Sequence, residues 1–377
     1  MNRRERLMAT LRGIPVDRPP VSFYELNGVF QNPDDPDPFN IYSHPSWRSL
    51  LDLTREKTDL IVRRPVAFNN ALPDPLYEMA RIETSRENES LITTWTVAIG
   101  NHTLTARTRR DPDIATTWSE EHLLKNAEDV RAFLEIPARR LSGALEPTPV
   151  LEAESVLGDA GIVMIDTLDP LCMVASKFSV ADYTVMAMTE PRLFRKLIDR
   201  AASFLLPRTK AVAKALPGRL WRICGPEYAS PPFLPPSLFR EYVCQYVGPM
   251  VKSIQRYGGF ARIHSHGKLK AILDDIVDMN PDGLDPIEPP PQGDVELAYV
   301  RENYGKNMVL FGNLEVSDIE ALPTDKFSEK VKRALDEGTS GEGRGFVLMP
   351  SACPYGRNLS SLTLRNYEKI IEIVDAF

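Results

Sequence analysis

Phe260-Ala261-Arg262-Ile263-His264-Ser265-His266-Gly267 is a short stretch, apolar at first and ending in polar groups. It reads as a strand over 260–265 that is buried on both faces, because it lacks the long alternation of a half-exposed strand. Gly267 permits a tight turn. Leu269, Ile272, Leu273 and Ile276 then recur at helical spacing over 268–279, and a second apolar strand follows at 283–287. A strand, a turn, an amphipathic helix and another strand form the repeating unit of a parallel α/β sheet.

The same rhythm extends in both directions. Strand candidates lie at 20–25, 58–64, 161–166, 219–224, 260–265, 283–287, 307–312 and 345–350. Helical stripes lie between several of them. In 191–206 the stripe is Leu193, Phe194, Leu197, Ile198, Ala201, Phe204 and Leu205; in 236–256 Pro249 should kink or end the helix. Residues 325–337 follow, with Thr324 as N-cap and Gly338 past the end, and 361–375 closes the series. Residues 2–12 read as a short helix before Gly13 and Pro15. Eight strands alternating with helices predict an α/β fold, a (β/α)8 TIM barrel. The rival open doubly wound sheet lacks its G-x-G-x-x-G after the first strand. Residues 78–110 break the rhythm: Thr-rich strands around Gly100-Asn101 predict a β-hairpin inserted after strand two. The expected organisation is one barrel domain over 1–377 containing that insertion.

Composition narrows the function classes. A net charge of −7 argues against a nucleic-acid binder. Four cysteines in 377 residues are too few for a disulfide framework. No apolar run reaches transmembrane length, and none of signal-peptide length follows the basic start. The expectation is a soluble cytoplasmic protein with reduced thiols.

In such a barrel, chemistry gathers at the C-terminal ends of the strands. His264 and His266 lie two residues apart at one such end, and in an extended backbone i and i+2 share a face. Cys353 follows the last strand, and His264, His266 and Cys353 would make a three-ligand site of the catalytic zinc type. An H-x-H pair is equally one capping and one stacked histidine, and Cys353 alone is equally a small buried hydrophobe. Glu227 is a fourth ligand, a general base or a surface acid. Asp285 interrupts an apolar strand and, if buried, needs partners.

The segments Arg4-Glu5-Arg6-Leu7, Pro15-Val16-Asp17-Arg18-Pro19-Pro20, Gly283-Leu284-Asp285 and Gly312-Asn313-Leu314-Glu315 resemble the uroporphyrinogen decarboxylase superfamily, whose members are (β/α)8 barrels. Its decarboxylases use no metal and carry an Arg-Gln-Ala-Gly-Arg type segment after strand one. Here that place reads Phe23-Tyr24-Glu25-Leu26-Asn27-Gly28, without arginine. The other branch, the corrinoid-dependent methyltransferases, binds zinc through H-x-C-G after strand five and a cysteine after strand eight. His264, Gly267 and Cys353 match that pattern, His266 replaces its first cysteine, and Glu227 matches a glutamate that completes the set in some relatives.

The resemblance therefore implies zinc at His264, His266, Cys353 and Glu227, and a corrinoid (cobalamin) on a partner protein. Exchanging a thiolate for an imidazole leaves zinc one positive charge. That favours an oxygen ligand and hence an O-methyl ether such as a methoxylated aromatic. Glu227, Asp166 and Tyr24 are the expected catalytic residues; Asn313, Asp285 and Glu25 are the expected substrate contacts. A homodimer is left open, since members are often dimers. The alternative is a metal-free carboxy-lyase of the decarboxylase type. Further rivals are a zinc hydrolase on the same barrel and a non-catalytic scaffold for a corrinoid protein.

Overall fold

The computed structural model describes residues 1–377. Seven parallel strands lie side by side in chain order: Leu60–Arg64, Gly161–Leu168, Leu220–Cys224, Phe260–Ser265, Gly283–Pro286, Val309–Leu314 and Phe346–Pro350. Each coincides, to within a few residues, with an expected strand.

The first expected strand, 20–25, is not one. Only Val21 pairs, but it pairs at both edges of the curled sheet. Ser22 N donates to Leu348 O (3.0 Å) and Leu348 N to Pro20 O (2.9 Å), while Asp59 N donates to Val21 O (2.7 Å). This short seam joins the edges into a TIM-barrel-like ring. Past it the chain turns away, with Tyr24 at φ +53° and Gly28 at φ +63°.

Side-chain alternation divides the strands into two faces. Trp221, Ile223, Ala261, Ile263, Leu284 and Leu310 belong to the large core shared with the surrounding helices. Ile61, Ile162, Met164, Leu220, Val309, Phe311, Val347 and Met349 form a separate cluster inside the ring, joined by Leu7 and Leu11. Those two come from the Arg3–Leu11 helix, which an Asn2–Glu5 capping box starts and which plugs the ring from below. The inner face continues upward into Arg222, Arg262 and His264. The apolar floor thus gives way to charge toward the C-terminal ends.

Several local expectations change. The Gln245–Arg256 helix runs through Pro249, because a π-turn over Arg240–Cys244 precedes it and absorbs the irregularity. Gly338 lies inside Thr324–Thr339 rather than past its end: a Cβ there would meet the Phe346 ring at 2.5 Å, so close packing selects glycine. The N-cap of that helix is Pro323, with no side-chain bond from Thr324. Instead of a two-stranded hairpin over 78–110, a four-stranded antiparallel sheet occupies Ala80–Glu87, Ser90–Ile99, His102–Arg110 and Thr117–Glu121. The outer two strands are largely exposed and charged, and so carry no apolar pattern. A two-stranded ribbon, Ala67–Asn69 with Ala144–Glu146, also went unread.

Asp59 holds the seam. It is fully buried and accepts from Arg6 Nη1 (2.5 Å), Arg18 Nη1 (3.0 Å) and Val21 N (2.9 Å). Asp59→Ala takes the only acid partner from Arg18 and the buried one from Arg6, which keeps Asp17 (2.7 and 2.9 Å), and it removes the acceptor of the Val21 amide; breaking this buried network costs about 3 kcal/mol. Urea unfolding measures it, and a loss below about 1 kcal/mol, the size of a surface pair, excludes this role.

Candidate active site

His264 is buried and His266 half-buried, and their rings stand edge to face with centroids 4.6 Å apart. Gly267, at φ +83°, turns the chain directly after them. Each ring is fixed from behind by an acid of the following segment. His264 Nδ1–H donates to Asp285 Oδ2 (2.7 Å) and His266 Nδ1–H to Glu288 Oε1 (2.7 Å). The other Glu288 oxygen accepts from Gly267 N (2.7 Å). With Nδ1 carrying the proton, each neutral ring keeps a lone pair on Nε2. For His266, burial opposes the charged ring, but the Glu288 hydrogen bond and charge outweigh it and raise the pKa. Glu288 is lowered in turn: burial pushes it up, and the bond and charge of His266 more than reverse that.

A layer of arginines lies beneath. Arg262 Nε approaches Asp285 Oδ1 at 3.0 Å, off the line of a hydrogen bond, and its guanidinium faces the Phe311 ring at 4.8 Å. Burial would raise the Asp285 pKa, but the charges of Arg262 and His264 hold it low. Arg222, 3% exposed, grips Asp166 with two bonds (2.9 and 2.8 Å) and donates to the Tyr24 hydroxyl (2.7 Å) and to Glu25 Oε1 (3.0 Å). Arg63 adds contacts to Glu25 (3.1 Å) and Asp166 (3.3 Å). Asp166 stays ionised: its burial works against the charge, and Arg222 and Arg63 overcome it. Tyr24 links the two groups, since its hydroxyl lies 3.4 Å from His264 Nε2.

Five expected residues are therefore in one network: Tyr24, Glu25, Asp166, His264 and Asp285. Others are placed differently. Glu227 sits in the Pro226–Ala229 turn, accepts from Gly225 N (3.1 Å), and its charge reaches His266. Asn313 borders a separate cavity of about 110 Å³ with Glu315, Asp318 and Lys330. Cys353 does not join the histidines, and no three His, Cys, Asp or Glu side chains converge on one point. Its loop is tied elsewhere: Ala115 N donates to Tyr355 O (2.8 Å) and Arg357 N to Asp113 O (2.7 Å). The thiol is half-buried, and burial with the nearby Glu25 charge pushes its pKa up to about 11.

Sequence reading missed Arg222, Arg262 and the role of Glu288. Glu315 stands among the strand-end acids without an assigned role, and burial with the Glu288 charge pushes its pKa up to about 7. One signal was available: an arginine amid apolar strand residues with an acid in the neighbouring strand, at the same register for Arg222 and Asp166 and two residues on for Arg262 and Asp285.

The uroporphyrinogen decarboxylase (URO-D) family model matches residues 171–357, the stretch that carries both histidines and Cys353. Residues 171–357 belong to the uroporphyrinogen decarboxylase family. Among solved structures, a methyltransferase from Methanosarcina mazei aligns over 99% of both chains at 18% identity and TM-score 0.60, which shows a shared fold along the whole length. A D-psicose 3-epimerase from Clostridium cellulolyticum H10, solved with D-tagatose, covers 61% of this chain and 84% of its own at 11% identity and TM-score 0.36, too distant to bear on chemistry. No curated protein matches by sequence.

The His266 pKa rests on Glu288, so Glu288→Gln should lower it toward or below the usual imidazole value near 6.5. A ring-proton NMR titration reads it directly, and an unmoved midpoint contradicts the assignment. The sign for stability follows. A raised histidine pKa stabilises fully below the unfolded value, and that part is lost as pH rises through the folded one. The lowered Glu288 pKa stabilises above its unfolded value and is lost as pH falls through the folded one. The mutual benefit is greatest between the two unfolded values, about pH 4.5 to 6.5, and Glu288→Gln should flatten the stability profile there.

Proposed function

We propose that the chain is a zinc-dependent methyltransferase, moving a methyl group between an O-methyl ether, such as a methoxylated aromatic, and the cobalt of a corrinoid carried by a partner protein. The observation that carries the reading is the pair of imidazoles whose Nδ1 atoms are held by Asp285 and Glu288, leaving both Nε2 atoms for a metal. Metal-binding histidines characteristically donate their other ring N–H to a carboxylate or carbonyl. The match to the Methanosarcina mazei methyltransferase along both chains agrees with the superfamily branch that the reading requires.

His264 and His266 would be the first two ligands, each with Nε2 left free by the acid behind it. Glu227, whose charge reaches His266, and Cys353 complete the donor set, and bringing in Cys353 requires movement of its loop. Bound zinc supplies a Lewis acid for the ether oxygen as the methyl group leaves. The rest is done by the chain's own groups. Arg262 keeps Asp285 ionised, so His264 stays in the tautomer that presents Nε2. Tyr24 accepts from Arg222, so its own proton remains to be donated toward the His264 side. Asp166 and Glu25 hold Arg222 in place, and Glu227, whose charge reaches His266, is the candidate general base.

The metal-free carboxy-lyase reading asks for free arginines at the mouth. Arg222 and Arg262, the arginines in contact with the histidine network, are each matched by carboxylates, so neither is free to hold a substrate acid.

Two outcomes test the reading. The purified chain should take up about one zinc ion, and Glu288→Gln should weaken it by about 10–100-fold in a competition titration. His266→Ala should lose stoichiometric zinc altogether. Methyl transfer from an aryl methyl ether to cob(I)alamin should require zinc and fall in Cys353→Ala with the fold intact. A chain that never binds zinc, or a Cys353→Ala protein of unchanged rate, removes the metal or the thiol from the mechanism.

A further inference from the structure

Beside the barrel mouth lies a cavity of about 380 Å³. Its walls come from the 66–72 and 139–142 segments, the end of Gly161–Leu168, and the long Pro191–Ala215 helix. Phe68, Leu141, Met173 and Phe204 make most of it apolar. Three guanidiniums border it: Arg139, Arg140 and Arg208.

The charges there do not balance. Arg208 is half-buried and donates only to a backbone carbonyl, Val66 O, at 3.3 Å. Burial and the neighbouring Arg139 charge lower its pKa, as expected for a cation short of an anion. Arg140 forms no ion pair. Arg139 lies over the Phe204 ring at 4.2 Å and reaches Asp74 only at 3.8 Å. The sole acid lining the cavity, Asp166, is already committed to Arg222 and Arg63. Around the barrel mouth, Arg222 and Arg262 are matched by acids, and Arg208 is not. An apolar chamber with spare guanidiniums suits a ligand with an apolar body and one anionic end, since guanidinium pairs with carboxylate in a planar two-bond geometry.

We infer that this cavity is a binding site for a small aromatic monocarboxylate, its acid held by Arg208 and Arg140 and its ring lying against Phe68, Leu141 and Phe204. Because Asp166 lines this cavity and also belongs to the Arg222–Tyr24–His264 network, the ligand would sit next to the proposed catalytic groups. As a statement about the methyl donor, making it an aryl methyl ether with a ring carboxylate, the inference rests on the methyl-transfer reading. As a binding site it does not.

Isothermal titration of the full chain, without corrinoid, tests it. Benzoate and 4-methoxybenzoate should bind. Anisole, which lacks the acid, and inorganic phosphate, which lacks the ring, should bind at least about tenfold more weakly, the worth of a charged hydrogen bond or a buried ring. Arg208→Gln and Arg140→Gln should each weaken benzoate by about tenfold or more. Arg140 is exposed, so its variant keeps the fold and isolates the contact. Absent benzoate binding, equal affinity for phosphate, or unchanged affinity in both variants overturns the site. An effect confined to Arg208→Gln and matched by a lower melting temperature also counts against it. The two readings fail separately. Bound 4-methoxybenzoate that never donates its methyl group to cob(I)alamin speaks against methyl transfer and leaves the site standing. Transfer from anisole without benzoate binding does the reverse.

Discussion

A single buried carboxylate, Asp59, lets this sheet behave as a ring. A curled sheet of seven strands has two open edges, each a row of unpaired backbone groups. Only one residue of the eighth segment, Val21, is available to satisfy both. One residue's hydrogen bonds are weak closure, so the join depends on Asp59. It fixes the Val21 amide directly and draws in Arg6 and Arg18 from outside the sheet. Arg6 belongs to the helix that fills the ring's base with Leu7 and Leu11. Closure and plugging are thus one event. The common mouth in which Tyr24, after the seam, meets His264, four strands away, follows from it.

Inside the ring, charge is organised in depth. The apolar floor excludes water and so raises the cost of every ion above it. Arg222 and Arg262 meet that cost with Asp166, Glu25 and Asp285. The arrangement does more than neutralise. Asp285 faces Arg262 with one oxygen and His264 with the other, so the cation keeps the acid ionised and the acid sets the tautomer of the imidazole. Glu288 serves His266 alone, without an arginine behind it, and its second oxygen takes the Gly267 amide instead. The two histidines are therefore held by the same device at different strengths, one in a buried charge network and one at its rim.

What could be read beforehand followed the physics of burial. Continuous apolar runs such as Leu220–Cys224 and Phe346–Pro350 marked strands covered on both sides, and the i, i+2 spacing of His264 and His266 placed both rings in the mouth. The misses are cases where one residue answers to a distant partner. Arg262 looks like an odd charge in a strand until Asp285 pairs with it in the neighbouring one. Gly338 reads as a helix stop until the Phe346 ring is seen against it. Pro249 reads as a break until the preceding π-turn makes room. Cys353 reads as a mouth residue because it follows the last strand, while the loop that carries it is held by bonds to residues 113–115.

Those bonds have a consequence for how this protein can diverge. Ile114 bridges Gly356 in antiparallel fashion, so the loop between the third and fourth strands of the added sheet is stitched to the loop bearing Cys353. The added sheet is not an ornament that could be trimmed while the barrel keeps its chemistry. Its length and tilt set where the thiol rests, so insertions or losses in residues 80–121 would be inherited together with changes in the 351–357 loop. The appendage and the rim of the mouth are thus one mechanical unit.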